Sequence, residues 1–69
     1  MFERIKHIET DTKHIVGGYY AVGPNVYAAE IIEVGKTLPG PLIRHLDVPC
    51  RTPEEACELI EAKWGMLFP

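Results

Sequence analysis

The residue best suited to covalent chemistry in this sequence is Cys50. A cysteine nucleophile reacts as the thiolate, so it needs a lowered pKa and a nearby base. Cys50 comes just before a predicted helix whose N-terminal dipole favours a thiolate, and Arg51 and His45 are close to it in the chain. No third residue is placed to orient such a base. We therefore interpret Cys50 as an unreactive or half-buried thiol and predict no catalytic residue.

The possible metal ligands are the histidines and cysteines, namely His7, His14, His45, Cys50 and Cys57. Structural zinc sites place paired ligands two to four residues apart. Cys50 and Cys57 are too far apart for that pattern and do not form a helix-face pair. A metal site made by His45, Cys50 and Cys57 is geometrically possible. The position of Cys57 on the predicted helix is otherwise typical of a small core residue. The sequence predicts no metal and no cofactor.

Four glutamates form a third cluster: Glu54, Glu55, Glu58 and Glu61. Catalytic carboxylates need a pocket that shifts their pKa values, and the sequence gives no sign of one. We interpret the cluster as a solvated helix face. Such an acidic ridge can still steer a basic partner to the surface.

The element that carries these glutamates is a predicted helix at about 53–64. Thr52 can cap its free N–H groups, Pro53 suits the first helical position, and Glu55 can complete a capping box. Gly65 can adopt the left-handed conformation that ends a helix. The apolar residues recur with the spacing of an amphipathic helix, at Ala56, Cys57, Leu59, Ile60 and Trp64.

Three segments before the helix have the composition of strands, at 13–22, 26–34 and 42–48. The break at 23–25 predicts a tight turn and an antiparallel hairpin, and the two prolines in 35–41 predict a loop. Residues 4–9 suit an edge strand followed by a turn at 10–12, although their apolar spacing also permits a helix. The prediction is an α+β domain, a three- or four-stranded antiparallel meander packed on one face by a single C-terminal helix.

Length and composition limit the class of protein. The chain has 69 residues, of which 46% are hydrophobic and 25% charged, as expected for one small globular domain spanning 1–69. Two cysteines, a charged N-terminal start and the lack of a long apolar run favour a soluble protein of the reducing cytoplasm, without a membrane partner. A net charge of −3 disfavours nucleic acid.

The strands carry apolar side chains at both parities, whereas one helix can cover only one face of a sheet. Bulges, for example at Gly17-Gly18, could reduce this surplus. Alternatively, the second face or an edge is buried against another copy, which predicts a homodimer. The tail 66–69 either folds back onto the sheet or anchors a partner. The predicted partner-binding residues are Tyr20, Val26, Ala28, Ile32, Glu54, Glu58, Glu61, Leu67 and Phe68.

Residues 18–62, three antiparallel strands and then a helix, resemble the plant AP2-type DNA-binding domain. The similar segments are Tyr27-Ala28-Ala29-Glu30-Ile31 and Thr52-Pro53-Glu54-Glu55-Ala56. The resemblance implies that architecture and a sheet that binds DNA, but the strand arginines and tryptophans with which that family contacts the major groove are missing here.

The leading hypothesis is a non-catalytic protein–protein interaction or regulatory module that self-associates through a sheet face or edge. The alternative is a nucleic-acid-binding sheet with contacts from Lys13, Tyr20, Arg44 and His45. A cysteine-dependent enzyme using Cys50 is third.

Overall fold

The computed structural model describes residues 1–37 and 40–69, which form four strands followed by one helix. The elements are β1 (Glu3–Glu9), β2 (Lys13–Gly23), β3 (Val26–Gly35), β4 (Leu42–Cys50) and α1 (Pro53–Leu67). Each strand pairs antiparallel with the next, in the order β1-β2-β3-β4, and α1 contacts β2, β3 and β4. The predicted α+β meander is confirmed, and the N-terminal segment is its fourth strand.

The two hairpin turns follow from local chemistry. Asn25 adopts a φ of 57°, in the left-handed region that asparagine tolerates, and the turn brings Gly23 opposite Val26. In the other turn, the hydroxyl of Thr10 accepts the backbone N–H of Lys13 at 3.1 Å. The predicted loop at 35–41 overlaps β3 by one residue, because Gly35 is the last residue of β3. Residues 38–39 of that loop lie outside the described residues.

The helix begins where the sequence predicts. The side chain of Thr52 accepts the backbone N–H of Glu55 at 3.0 Å, which caps the first turn. The carboxylate of Glu55 reaches back as expected, but it accepts the N–H of Arg51 at 3.1 Å rather than that of Thr52. Pro53 occupies the first turn, where its missing N–H has no cost.

The predicted end of the helix, at residue 64 with a left-handed Gly65, is wrong. Helix α1 continues through Gly65 to Leu67, and no described glycine has a positive φ. The continuation brings Leu67 and Phe68 into contact with the core, beside Trp64. Packing of these three side chains outweighs the cost of about 1 kcal/mol for glycine inside a helix.

The core lies between α1 and one face of the sheet. Its buried apolar residues in the described chain are Ile15, Ala29, Ile31, Cys50, Ala56 and Ile60. Helix and sheet approach closely at Gly17, where an added Cβ would lie 3.0 Å from Cγ2 of Ile60. The absence of a side chain at Gly17 therefore allows the helix to rest on the strand backbone.

The predicted bulge at Gly17-Gly18 is placed on the wrong strand. Gly17 and Gly18 both pair regularly, and the extra residue is Ile5 in the facing strand β1. A second irregularity inserts His45 into β4, between the partners of Ile31 and Ile32. Because of this insertion the alternation of β4 changes, and Arg44 and Asp47 point to the same face although they are three residues apart.

Candidate functional site

The face of the sheet opposite α1, which we call the open face, is an unpartnered surface of the described chain. No described helix or strand packs on it, since the contacts of α1 are to the other face. The strand register assigns these residues to it: Arg4, His7, Glu9, His14, Val16, Gly18, Tyr20, Ala28, Glu30, Ile32, Val34, Leu42, Arg44 and Asp47.

The open face is apolar in its middle. Val16, Ala28 and Ile32 are half-buried by their neighbours in the sheet alone, whereas Val34 and Leu42 are 40% and 55% exposed. Phe2 also lies on this face, because its ring occupies the space where Gly18 lacks a side chain. The result is an apolar strip that crosses β2, β3 and β4 and extends to Phe2, which lies just before β1.

A fixed polar pair lies beside this strip. The hydroxyl of Tyr20 donates a hydrogen bond to Oε2 of Glu30 at 2.7 Å, across the β2–β3 pairing. This bond, together with the negative charge of Glu30, raises the pKa of Tyr20 above its ordinary value of 10.0. The phenol therefore remains neutral at physiological pH, and both side chains are held in place on the face.

Two histidines and a carboxylate meet at one corner of the open face. His7 and Glu9 of β1 and His14 of β2 each place a potential ligand atom within 4.8 Å of the other two. The two imidazole rings lie edge to face, with centroids 4.6 Å apart. The predicted strand and turn made β1 and β2 neighbours, but the register that sets Glu9 opposite His14 comes from the structure, and the spacing of these residues along the chain gave no signal of the cluster.

The residues predicted to bind a partner lie on two sides of the domain. Tyr20, Ala28 and Ile32 share the open face. Val26, the first residue of β3, is 41% exposed and lies on the same side of that strand as Ala28 and Ile32. The acidic residues Glu54, Glu58 and Glu61 are exposed on the helix, where Glu61 pairs with Lys6 at 2.7 Å. The predicted residues do not form a single surface.

The tail residues predicted to bind a partner, Leu67 and Phe68, are half-buried against the core. The ring of Phe68 lies 4.9 Å from that of Trp64. This arrangement supports the packing interpretation of the tail. Met66, at 75% exposure, and Pro69 are the members of the tail that face solvent.

The side chains proposed for nucleic-acid contact do not form a basic surface in the described chain. His45 bonds Oε1 of Glu33 at 2.9 Å, and Lys13 lies 3.8 Å from the other oxygen of the same carboxylate. Tyr20 is held by Glu30. Arg44 is exposed, but Asp47 lies on the same strand and face.

Cys50 is a buried thiol, 5% exposed, whose Sγ donates to the carbonyl oxygen of Tyr27 at 3.7 Å. Burial, and then the nearby carboxylate of Glu55, raise the pKa of the Cys50 thiol above 9.0. His45 is five residues away along the same strand, so about 16 Å at the usual rise per residue. A nucleophile needs the opposite environment.

We expect Cys50 to react slowly with thiol reagents. In a Cys57→Ser variant at neutral pH, iodoacetamide should modify folded Cys50 at least about tenfold more slowly than the same protein unfolded in urea, because the thiol is protonated and inaccessible. Mass spectrometry of timed aliquots measures both rates. Equal rates in the two states would show that Cys50 is accessible as a thiolate.

No described helix has both the length and the apolar character needed to cross a membrane. Comparison of the chain with protein-family models, curated proteins and solved structures gives no match. The resemblance to AP2-type domains thus rests on the order of elements and the two short segments alone. Inference about function depends on the geometry of the described surfaces.

Proposed function

We propose that this domain is a non-catalytic self-association module in which two copies pack open face against open face. The observation that carries the proposal is the apolar strip on the open face, which no described element covers. Exposed contiguous apolar surface is typical of a binding surface in a soluble protein. The open face also contains three of the predicted partner-binding residues, Tyr20, Ala28 and Ile32.

The small core is a second reason for a partner. Besides two glycines, only six residues of the described chain are buried, and two of those six are alanines. Domains of this length have cores worth about 3–5 kcal/mol and often depend on a metal, a disulfide or association. Both cysteines are free thiols, so no disulfide stabilises the described chain. Burial of the open face would supply the missing apolar contact.

The charges on the open face favour a second copy of the chain over a polyanion. Arg44 and Asp47 carry opposite charges, share one face of β4, and form no ion pair with another described residue. A twofold axis passing between them sets each residue against the partner's residue of opposite charge. A self-complementary surface of this kind is what an isologous dimer requires, whereas nucleic acid requires a surface of one sign.

We expect static light scattering to show dimer mass at high concentration and a decrease toward monomer mass over a hundredfold dilution. Ile32→Lys should weaken the dimer by about tenfold or more, because it places a charge in the apolar strip. Met66→Lys is the matched control, since it makes the same change at an exposed apolar residue of the helix, and it should leave the dissociation constant unchanged.

A charge exchange tests the geometry of the dimer. Arg44→Asp should weaken association, because it sets two acidic residues of one chain against those of the partner. Adding Asp47→Arg to the same chain should restore it. Monomer mass at every concentration would refute self-association, and a failure of the double variant to recover would refute this arrangement of the two faces.

A further inference from the structure

We infer that His7, Glu9 and His14 form a binding site for a divalent transition-metal ion of the zinc class at the corner of the open face. The three side chains supply two imidazole nitrogens and one carboxylate oxygen. This donor set suits Zn²⁺, Co²⁺ and related ions, while Ca²⁺ and Mg²⁺ prefer oxygen ligands alone.

The backbone brings these side chains together without strain. β1 and β2 pair in regular register from Lys6 to Glu9, and this pairing puts Glu9 opposite His14 and His7 on the diagonal. The potential ligand atoms lie within 4.8 Å of one another. Donor atoms around a tetrahedral zinc ion lie about 3.3 Å apart, given bonds of about 2.0 Å. Rotation of the exposed side chains of His7 and Glu9 can close this difference.

An independent observation also points to a ligand. Nε2 of His14 is buried and has no hydrogen-bond partner in the described chain. A buried polar atom without a partner is costly, and nearly all such atoms in proteins are satisfied. Coordination of a metal ion through Nε2 itself relieves this cost, since the lone pair of that nitrogen is then used.

The two oxygens of the Glu9 carboxylate have different neighbours. Its Oε2 accepts a hydrogen bond from Nζ of Lys36 at 2.7 Å, and its Oε1 lies 3.9 Å from Nε2 of His7. The lysine thus acts as an outer partner that orients the carboxylate, as is common around protein metal sites. Oε1 remains available on the side of the histidines.

The test is titration of the untagged protein with ZnCl₂ by isothermal calorimetry, and with CoCl₂ by visible absorption. We expect one ion per chain and a dissociation constant in the micromolar range. His7→Gln and His14→Gln should each weaken binding by at least about tenfold. His45→Gln is the matched control, because His45 is bonded to Glu33 outside the cluster, and it should bind as the native chain does.

Circular dichroism verifies that each variant is folded. If His14→Gln does not fold, Glu9→Gln, at an exposed position, takes its place and should also lose binding. The inference is overturned if the native chain shows no binding, if the ions bind equally well after substitution of His7 and Glu9, or if one ion binds per two chains. The site lies within one chain, so monomeric protein that still binds zinc would refute the dimer and leave the metal site standing.

Discussion

Ile60→Ala should unfold much of the protein at 25 °C. Ile60 of α1 is fully buried against the sheet, and its Cγ2 would lie 3.0 Å from a Cβ added to Gly17. Truncation of a buried isoleucine costs about 2–5 kcal/mol, because transfer free energy is lost and a cavity remains. A core of this size supplies about 3–5 kcal/mol in total. Urea denaturation followed by circular dichroism measures the loss.

Leu59→Ala is the matched control for this change. It removes a side chain of the same size from the adjacent helical residue, but Leu59 is 36% exposed and is not part of the core. We expect a loss of less than half that of Ile60→Ala. Equal losses would mean that the helix does not bury the face that contains Ile60, and the packing of α1 described above would be wrong.

Gly17→Val should separate the helix from the sheet or unfold the domain. A Cβ at this position lies 3.0 Å from Ile60 and 3.4 Å from Trp64, and the two further methyl groups of valine have no room. Overpacking of this kind costs about 1–3 kcal/mol and sometimes more. The free energy of unfolding falls, and the fluorescence of Trp64 shifts toward that of a solvent-exposed indole.

Gly23→Val provides the control in the same strand. A Cβ added to Gly23 meets no atom within 4 Å, and its φ is not positive. Valine is also a better strand residue than glycine. We expect a change near zero or a slight stabilisation. A comparable loss for Gly17→Val and Gly23→Val would indicate a general effect of valine on β2 and not a close approach of the helix.

These two predictions also bear on the proposed dimer. If association supplies part of the stability, the midpoint of urea unfolding for the native chain rises with protein concentration. The losses caused by Ile60→Ala and Gly17→Val should therefore be compared at one fixed concentration. Both positions lie where α1 packs on the sheet, away from the open face, so their effects on folding are separable from effects on association.

The strands and the start of the helix were predictable because their signals are local. The strand-favouring composition of each segment, the turn residues at 23–25, and Thr52-Pro53 each act over a few positions. The end of the helix was not predictable in this way. Gly65 has the right type for a stop, but the contacts of Leu67 and Phe68 with the core decide the matter, and a short sequence window does not contain them.

The sequence predicted that some apolar residues lie on a second face of the sheet, but it did not predict which residues form that open face. Apolar residues occur at both odd and even positions of the strands, so some must point to the face that a single helix does not cover. This conclusion holds for any strand register. Which ones lie there depends on the insertions at Ile5 and His45, because each insertion changes the face of every residue beyond it. The shared face of Arg44 and Asp47, on which the charge argument rests, results from the second insertion.

The sequence by itself determined the class of fold, the order of its elements and the presence of apolar surface beyond what one helix can bury. These properties follow from periodicity, capping and turn chemistry, which act between near neighbours in the chain. The tertiary structure decided where the helix ends, how closely it approaches Gly17, and that His7, Glu9 and His14 meet at one corner. Those depend on strand register and on contacts between residues distant in sequence, which local patterns do not specify.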